Sequence, residues 1–204
     1  MDSCFIFGAG REVELVQRPA PGDLVIAADG GYLACQRAGI VPDLLLGDFD
    51  SLLEKPDFGN ILQVPVEKDD TDTFLAAKYG MGQGCRAFHI YGGTGGRLDH
   101  TLANLQLLVW LSQREARGYL YDETFTYTAI TNGAITIPQG PEWGLLSVFC
   151  MGPDAKGVFE RGVQYPLTDA VLTAGFPLGV SNHIIEAEAR ISVREGSLVI
   201  GWER

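Results

Sequence analysis

The first 117 residues alternate between short apolar runs and longer amphipathic stretches, and this alternation constrains the fold more than any other feature. The strand-length runs are residues 4–10, 24–29, 43–48, 61–66 and 86–93, and the helix-length stretches are residues 31–39, 71–84 and 99–118. Within the last stretch, Leu102, Leu105, Leu108, Val109 and Leu111 recur at helical spacing, which predicts an amphipathic helix. Continuous apolar strands that alternate with helices are typical of a parallel sheet covered on both faces.

The pattern changes near residue 118. From there to the C-terminus, β-branched and aromatic residues alternate with polar ones, and Gly, Asn and Pro interrupt them at short intervals. This pattern predicts strands and turns rather than helices. We therefore predict an α/β domain over residues 1–122 and an all-β domain over residues 123–204. Near the C-terminus, the apolar runs on either side of Glu195 and Gly196 predict a β-hairpin.

Composition excludes several kinds of partner. The chain has 204 residues and a formal net charge of −11, so it repels nucleic acid. It has no apolar run of the roughly 18 residues that a membrane helix needs, and no basic segment precedes the first apolar run, so we expect neither a membrane span nor a signal peptide. The four cysteines are far apart in apolar contexts and form no CxxC pair, which predicts buried thiols and a cytoplasmic protein.

Two aspartates follow the apolar run that ends at Leu46. In an extended segment, residues i and i+2 point the same way, so Asp48 and Asp50 can face one ion. Two unpaired carboxylates at this spacing raise each other's pKa, and a bound divalent cation removes that cost. A solvated turn, with Asp50 capping a short helix that begins at Ser51, is the alternative.

Two further acidic groups follow strand-like runs. Asp29 ends the second run and precedes two glycines, while Asp69, Asp70 and Asp72 surround Thr71 at the predicted start of a helix. One of these residues can cap that helix, since Asp and Thr favour the N-cap position, but a cap does not account for three aspartates. Ligands of open α/β sheets collect at the carboxyl ends of the strands, so we expect these carboxylates at a magnesium site.

A glycine-rich turn at residues 92–96 supplies the complementary feature. Its four glycines let the backbone approach a ligand closely, and the helix N-terminus behind them favours an anion. Arg97 follows directly and can bind phosphate in a bidentate manner. The turn lacks the Lys-Ser/Thr ending of a Walker A loop, and a flexible turn is the alternative. Carboxylates beside a phosphate site indicate metal-assisted phosphoryl-type transfer.

Taken together, the motifs resemble those of the thiamine pyrophosphokinase (thiamine diphosphokinase) family. In the family's order, the chain contains DGG at 29–31, GDFDS at 47–51, KDDTDT at 68–73, GGTGGRLDHTLANL at 92–105 and GVSNH at 179–183. The resemblance implies a Rossmann-like α/β domain followed by a β-sandwich. It also implies transfer of the pyrophosphoryl group of ATP to the hydroxyl of thiamine, giving thiamine diphosphate and AMP, in a homodimer with active sites at the subunit interface.

The resemblance also implies roles for particular residues. Magnesium and the catalytic function are implied for Asp48, Asp50 and Asp72, with Asp50 and Asp72 the candidates for accepting the hydroxyl proton. Binding of ATP is implied for Asp29, Thr71, Gly93, Gly95, Gly96, Arg97, Asp99 and His100. Asp29 and Asp99 could instead serve the thiazolium ring or a second ion, and His100 could cap the helix. Binding of the thiamine pyrimidine is implied for Ser181 and Asn182.

The chain departs from the family pattern after Asn182, where His183 and Ile184 replace the acidic or aromatic pair common in relatives. Trp202 is the late tryptophan that could contact thiamine, although an edge or core position suits it as well. Two other functions are compatible with the motifs. A different magnesium-dependent nucleotide or phosphoryl transferase would release no AMP with thiamine, and a non-catalytic ATP-binding sensor would bind ATP without turnover.

Overall fold

The computed structural model describes residues 3–48, 58–64, 69–140 and 144–204. The chain divides into two compact units, the first comprising residues 1–107 and 118–123 and the second comprising residues 108–117 and 124–204. The second unit therefore includes the end of a helix that precedes residue 118. The sequence-based domain boundary after residue 122 stays a prediction.

The first unit is built on a sheet in which five of the six strands pair in parallel. The strands are β1 (Ser3–Phe7), β2 (Leu24–Ala28), β3 (Leu44–Gly47), β4 (Ile61–Gln63), β5 (Ala87–Tyr91) and β6 (Arg117–Tyr121), and the helices are α1 (Gly31–Ala38), α2 (Asp72–Gly82) and α3 (Leu98–Ser112). The strand order is β6-β5-β1-β2-β3-β4. Strand β1 pairs in parallel with β2 and β5, β2 pairs with β3, and β3 pairs with β4, each also in parallel.

Burial explains why the strand sequences are apolar throughout. All five residues of β2 and all four of β3 are buried, as expected for strands that are covered on both faces. Phe5, Phe7, Val25, Ala27 and Leu45 belong to one core cluster. Because these strands are parallel, the residues that follow them lie at the same edge of the sheet. That edge carries Gly8, Asp29, Asp48 and Gly92.

Helix α3 is buried along a face slightly different from the one that leucine spacing indicates. Leu102 is half exposed, whereas Asn104, two residues further along and on the opposite face of the helix, is buried and donates a hydrogen bond from Nδ2 to the carbonyl oxygen of Gly93 at 2.8 Å. A polar residue can occupy a buried helix position when its hydrogen bonds are made. Hydrophobic spacing alone cannot identify such a position.

The second unit consists of antiparallel strands. They are β7 (Phe125–Thr131), β8 (Ala134–Pro138), β9 (Leu145–Cys150), β10 (Ala155–Arg161), β11 (Leu167–Leu172), β12 (Gly179–His183), β13 (Glu188–Ser192) and β14 (Ser197–Glu203). One group has the order β12-β9-β14-β7, and a four-stranded sheet has the order β11-β10-β13-β8. Buried residues from both groups share one core cluster, for example Ile130, Val148, Val158 and Ile191. The prediction of a separate β-rich domain is confirmed.

The predicted hairpin around Glu195 and Gly196 is wrong. Strand β13 pairs with β10 and β8, whereas β14 pairs with β7 and β9. The connection therefore joins the two groups of strands, and Glu195 is held by a hydrogen bond from the Lys156 N–H to its carbonyl oxygen. A short turn between two apolar runs does not reveal whether the runs pair with each other, because pairing depends on the rest of the core.

The cysteines and the helices can be compared with the sequence-based expectations. All four cysteines are buried and free of disulfides, as predicted. In the described parts of the chain, no helix is both long enough and apolar enough to cross a membrane.

Candidate active site

Two loops meet at the carboxyl edge of the parallel strands: residues 8–11 after β1 and the glycine turn, residues 92–96, after β5. The N–H groups of Gly8, Gly10 and Arg11 donate hydrogen bonds to the carbonyl oxygens of Tyr91, Gly92 and Thr94, at 2.8, 2.8 and 2.7 Å. At Gly10 a Cβ atom would lie 2.5 Å from the Gly92 and Thr94 oxygens, so only glycine allows this approach.

No motif in the sequence pointed to residues 8–11 as part of the site. The available signal was a strand that ends in Gly-Ala-Gly, which has the same character as the later glycine turn. Periodicity showed the strand, but the partner of its terminal loop is set by the parallel pairing of β1 with β5. The loop after β1 therefore became visible as part of the site only in three dimensions.

Side chains hold the glycine turn in place. Thr94, which is buried, donates from Oγ1 to Asp122 Oδ1 at 2.6 Å. The hydrogen bond from Asn104 to the Gly93 oxygen fixes the other side, and a Cβ atom at Gly93 would lie 2.5 Å from Leu120 Cδ1. The turn is thus a packed, hydrogen-bonded structure, and the alternative of a flexible turn does not describe it.

The two loops border a cavity of about 250 Å³. Four of its lining residues are predicted site residues, namely Gly93, Gly96, Arg97 and His100. The remaining lining residues are Ala9, Gly10, Thr73, Gly92, Thr94, Thr101 and Asn104. Helix α3 begins at Leu98 beside the cavity, and the free N–H groups and dipole of a helix N-terminus stabilise anions. A phosphate chain is the kind of ligand that this cavity suits.

Arg97 and Asp99 form a bidentate ion pair in this structure. Arg97 Nε donates to Asp99 Oδ1 at 3.1 Å, and Arg97 NH2 donates to Asp99 Oδ2 at 2.5 Å. The hydrogen bonds from Arg97 lower the pKa of Asp99, and the same contact raises the pKa of Arg97. The His100 N–H also donates to Asp99 Oδ1 at 3.0 Å. Asp99 therefore contacts both neighbouring cavity residues, Arg97 through its side chain and His100 through its backbone N–H.

Thr71 has a structural role at the start of α2. Its Oγ1 accepts a hydrogen bond from the Phe74 N–H at 3.2 Å, which confirms that one residue of this segment caps the helix. Asp70 forms an ion pair with Lys78 at 2.7 Å. Asp72 is the first residue of α2 and is half-buried.

Asp29 and Asp48 follow neighbouring strands and lie close together along the sheet edge. The Asp29 N–H donates to the Leu46 carbonyl oxygen at 2.8 Å, and Asp29 has a positive φ of 48°. A Cβ atom at Gly47 would lie 3.1 Å from the Asp29 Cα atom. Asp48 comes directly after Gly47 and is half-buried. Asp50 lies outside the described residues, so its predicted place beside Asp48 stays a prediction.

Within residues 3–48, 58–64, 69–140 and 144–204, no group of three or more His, Cys, Asp or Glu side chains is placed to hold a metal ion. Mg²⁺ usually binds through one or two carboxylates and completes its coordination with substrate phosphates and water. Asp48 follows β3 at the carboxyl edge of the sheet, and Asp72 precedes Thr73, which lines the cavity. Their carboxylates are oxygen donors of the kind that Mg²⁺ takes together with phosphate oxygens.

In the second unit, Ser181 and Asn182 lie on β12. Ser181 is exposed and has a φ of 60°, whereas Asn182 is buried and its amide makes hydrogen bonds within the protein. Trp202 lies on β14 and packs, partly buried, against the core cluster of this unit. Of the positions considered for Trp202, the structure therefore shows one against the core.

Comparisons with known proteins agree with this arrangement. Residues 20–120 match the thiamin pyrophosphokinase catalytic domain, and residues 134–198 match the thiamin pyrophosphokinase vitamin B1 binding domain. A thiamine pyrophosphokinase of Bacillus subtilis (strain 168) is 30% identical over 183 residues, which cover 87% of this chain and 86% of the relative.

Solved structures are similar over nearly the whole chain. The crystal structure of thiamine pyrophosphokinase from Bacillus subtilis has a TM-score of 0.89 at 27% identity, covering 99% of both chains. A thiamin pyrophosphokinase family protein from Enterococcus faecalis has a TM-score of 0.83 at 28% identity, covering 100% of this chain and 99% of that one. Sequence and structure together place this chain in the thiamin pyrophosphokinase family.

Proposed function

We propose that this protein is a thiamine diphosphokinase, which transfers the pyrophosphoryl group of ATP to the hydroxyl of thiamine and releases AMP. The observation that carries the proposal is the cavity between residues 8–11 and the glycine turn, in a chain of the thiamin pyrophosphokinase family. Phosphoryl-type transfer depends mainly on positioning and on stabilising charge, and the cavity supplies both.

In this proposal the triphosphate of ATP lies along the glycine turn. The N–H groups of Gly93, Gly95 and Gly96 face the phosphates, and Arg97 exchanges its contact with Asp99 for one with a phosphate oxygen. That exchange is feasible because the Arg97 and Asp99 side chains are 75% and 62% exposed. Asp99 and His100 then lie beside the bound nucleotide, as does Thr71 at the start of α2.

The carboxylates Asp48, Asp50 and Asp72 would hold Mg²⁺, which when bound offsets the negative charge that develops on the phosphates. Asp50 or Asp72 takes the proton from the thiamine hydroxyl as that oxygen attacks the β-phosphorus in line with the departing AMP. Asp29 lies beside Gly47 and is suited to the cationic thiazolium ring or a second ion. Its negative charge would attract either one.

Thiamine would bind at the turn containing Ser181 and Asn182, in the unit that matches the vitamin B1 binding domain. We also propose that the protein works as a homodimer with shared active sites. Support comes from large apolar side chains that are exposed on this unit, since such groups mark interfaces. They are Tyr165, Phe176, Leu178, Val180 and Ile185, each between 38% and 65% exposed.

We also propose that the first domain is Rossmann-like and that the second is a β-sandwich. The same proposal places the protein in the cytoplasm. The parallel order of β5-β1-β2-β3-β4 and the shared core of the two antiparallel groups support the first two. Four free, buried cysteines support a reducing compartment.

One assay tests the activity. The purified protein is incubated with ATP, Mg²⁺ and thiamine, and AMP and thiamine diphosphate are separated by chromatography. We expect the two products in equal amounts. Formation of ADP, or no AMP with thiamine, would indicate a different transferase, and binding of ATP without turnover would indicate a sensor. Sedimentation that shows only a fully active monomer would refute the shared-site dimer.

A further inference from the structure

The turn at Ser181 is an irregularity in strand β12. The pairing of β12 with β9 shifts register between Gly179 and Asn182, which is a β-bulge. Ser181 in this bulge has a φ of 60°, a conformation that non-glycine residues rarely adopt. Bulges of this kind redirect a side chain, and backbone strain of this kind persists only where the surroundings hold it.

Hydrogen bonds hold the bulge from two sides. On one side, the Ser181 N–H donates to Ser147 Oγ at 3.1 Å. On the other side, Asn182 Oδ1 accepts from the Tyr165 and His183 N–H groups at 3.0 and 2.9 Å. Asn182 Nδ2 donates to the Tyr165 carbonyl oxygen at 2.9 Å and to Glu160 Oε2 at 3.1 Å. The amide of Asn182 therefore has all four of its hydrogen bonds within the protein.

Glu160 is an unusual partner for this amide because its side chain has no access to solvent. Oε2 accepts from Asn182, but among the described residues Oε1 has no hydrogen-bond partner. A Cβ atom at Gly179 would lie 3.2 Å from Oε1. Glu160, Gly179 and Asn182 border a small cavity of about 160 Å³ at the bulge, together with Tyr165 and Leu178. A buried carboxyl group with an unmade hydrogen bond costs stability.

We infer that Glu160 is a positioning residue for thiamine binding: through Asn182 it holds the bulge that presents Ser181. The inference rests on the proposed function, because it takes thiamine to bind at this turn. In this inference Asn182 supports the bulge and does not contact the pyrimidine directly, because its amide is already fully hydrogen-bonded. The exposed Ser181, and not Asn182, is the side chain that remains available to a ligand.

The test compares the wild-type protein with Glu160→Ala, Glu160→Gln, Asn182→Asp and the double variant Glu160→Gln/Asn182→Asp. The control is Glu188→Ala, which removes an exposed carboxylate from neighbouring strand β13. For each protein we measure kcat, the KM for thiamine and the KM for ATP, and the thiamine dissociation constant by calorimetry. The thermal midpoint of each variant is recorded as well.

We expect Glu160→Ala to raise the thiamine KM about tenfold or more, because small misplacements of binding groups are costly. The KM for ATP should stay within about twofold, since the residues of the glycine turn make none of these contacts. Glu160→Gln keeps an acceptor for Asn182 and should bind thiamine like the wild type. Asn182→Asp sets two carboxylates against each other, removes the donor to the Tyr165 carbonyl oxygen and should weaken binding. The double variant restores the donor–acceptor pair between positions 160 and 182 but not the contact with Tyr165, and it should recover part of the loss.

A Glu160→Ala protein with an unchanged thiamine KM would overturn the inference. So would a double variant that recovers none of the binding lost in Asn182→Asp, and this near-isosteric pair decides the matter if Glu160→Ala does not fold. A wild-type protein that binds thiamine without converting it would refute the proposed function alone, because the dissociation constants still report positioning. A wild-type protein that does not bind thiamine would refute both.

Discussion

The pH dependence of stability should depend on Glu160, and the substitution Glu160→Gln isolates its contribution. Burial raises the pKa of Glu160 from 4.5 to about 7, while the hydrogen bond from Asn182 opposes that rise. Glutamine keeps the shape of the side chain and an oxygen for Asn182, but it cannot ionise. Its amide nitrogen would occupy the place of Oε1, where the wild-type protein already lacks a partner among the described residues.

Ionisation of Glu160 should make the protein less stable as pH rises, because the pKa of this group is higher in the folded state than in the unfolded chain. Below pH 4.5 the carboxyl group is protonated in both the folded and the unfolded chain, and it adds no pH dependence. Between pH 4.5 and about 7 the folded chain binds more protons, so the free energy of unfolding falls as pH rises. A pKa difference of this size corresponds to about 3 kcal/mol in full, of which about 2 kcal/mol is lost between pH 5 and pH 8.

Urea unfolding followed by tryptophan fluorescence measures this effect, since Trp202 packs against the core of the same unit. We expect the difference in unfolding free energy between Glu160→Gln and the wild type to shift by about 2 kcal/mol in favour of the variant from pH 5 to pH 8. Any pH-independent cost of the buried amide cancels in this comparison. Glu188→Gln, with an exposed side chain, serves as the control and should show no such shift.

Parallel pH profiles for the wild type and Glu160→Gln would refute the reasoning. That result would mean that the Glu160 carboxyl group is hydrated or paired in solution, and that its burial has little effect on its ionisation. A shift in the opposite direction would mean that the ionised form is the one that the folded protein stabilises.

Four further substitutions test the first unit. Asp48→Asn and Asp72→Asn should each lower kcat by about 100-fold or more with an unchanged thermal midpoint, and near-normal turnover in either variant would contradict the metal assignment. Gly10→Ala should reduce the unfolding free energy by roughly 1–3 kcal/mol because of its close backbone contacts, whereas the control Gly59→Ala meets no atom within 4 Å and should have little effect. Arg97→Lys should raise the KM for ATP about tenfold through loss of bidentate binding, and an unchanged KM would place the phosphates elsewhere.

Local pattern was sufficient to predict the parallel strands and the three helices of the first unit. The strands β2 and β3 are apolar at every position because both faces are covered, and this leaves a signal in the sequence itself. The glycine turn and Arg97 were visible for a similar reason, since four glycines among five residues before a helix have few purely local explanations. The resemblance to a family then gave the order of the motifs a meaning.

Pairing between distant segments could not be predicted in the same way. The apolar runs on either side of Gly196 suggested a hairpin, but the core places them against different neighbours. The loop after β1 borders the cavity at the glycine turn only because β1 pairs with β5, some 80 residues away. Such contacts depend on which surfaces exclude water together, and short-range periodicity carries no information about them.

The sequence by itself determined the strands, the helices, the position of the glycine turn and the acidic residues at the strand ends, because each depends on neighbours within a few residues. The tertiary structure alone decided that Asn104 supports the glycine turn and that Glu160 lies buried beneath Asn182. Buried polar side chains are as a rule hydrogen-bonded, and here the partners belong to distant segments of the chain. Those partners come together only when the chain is folded.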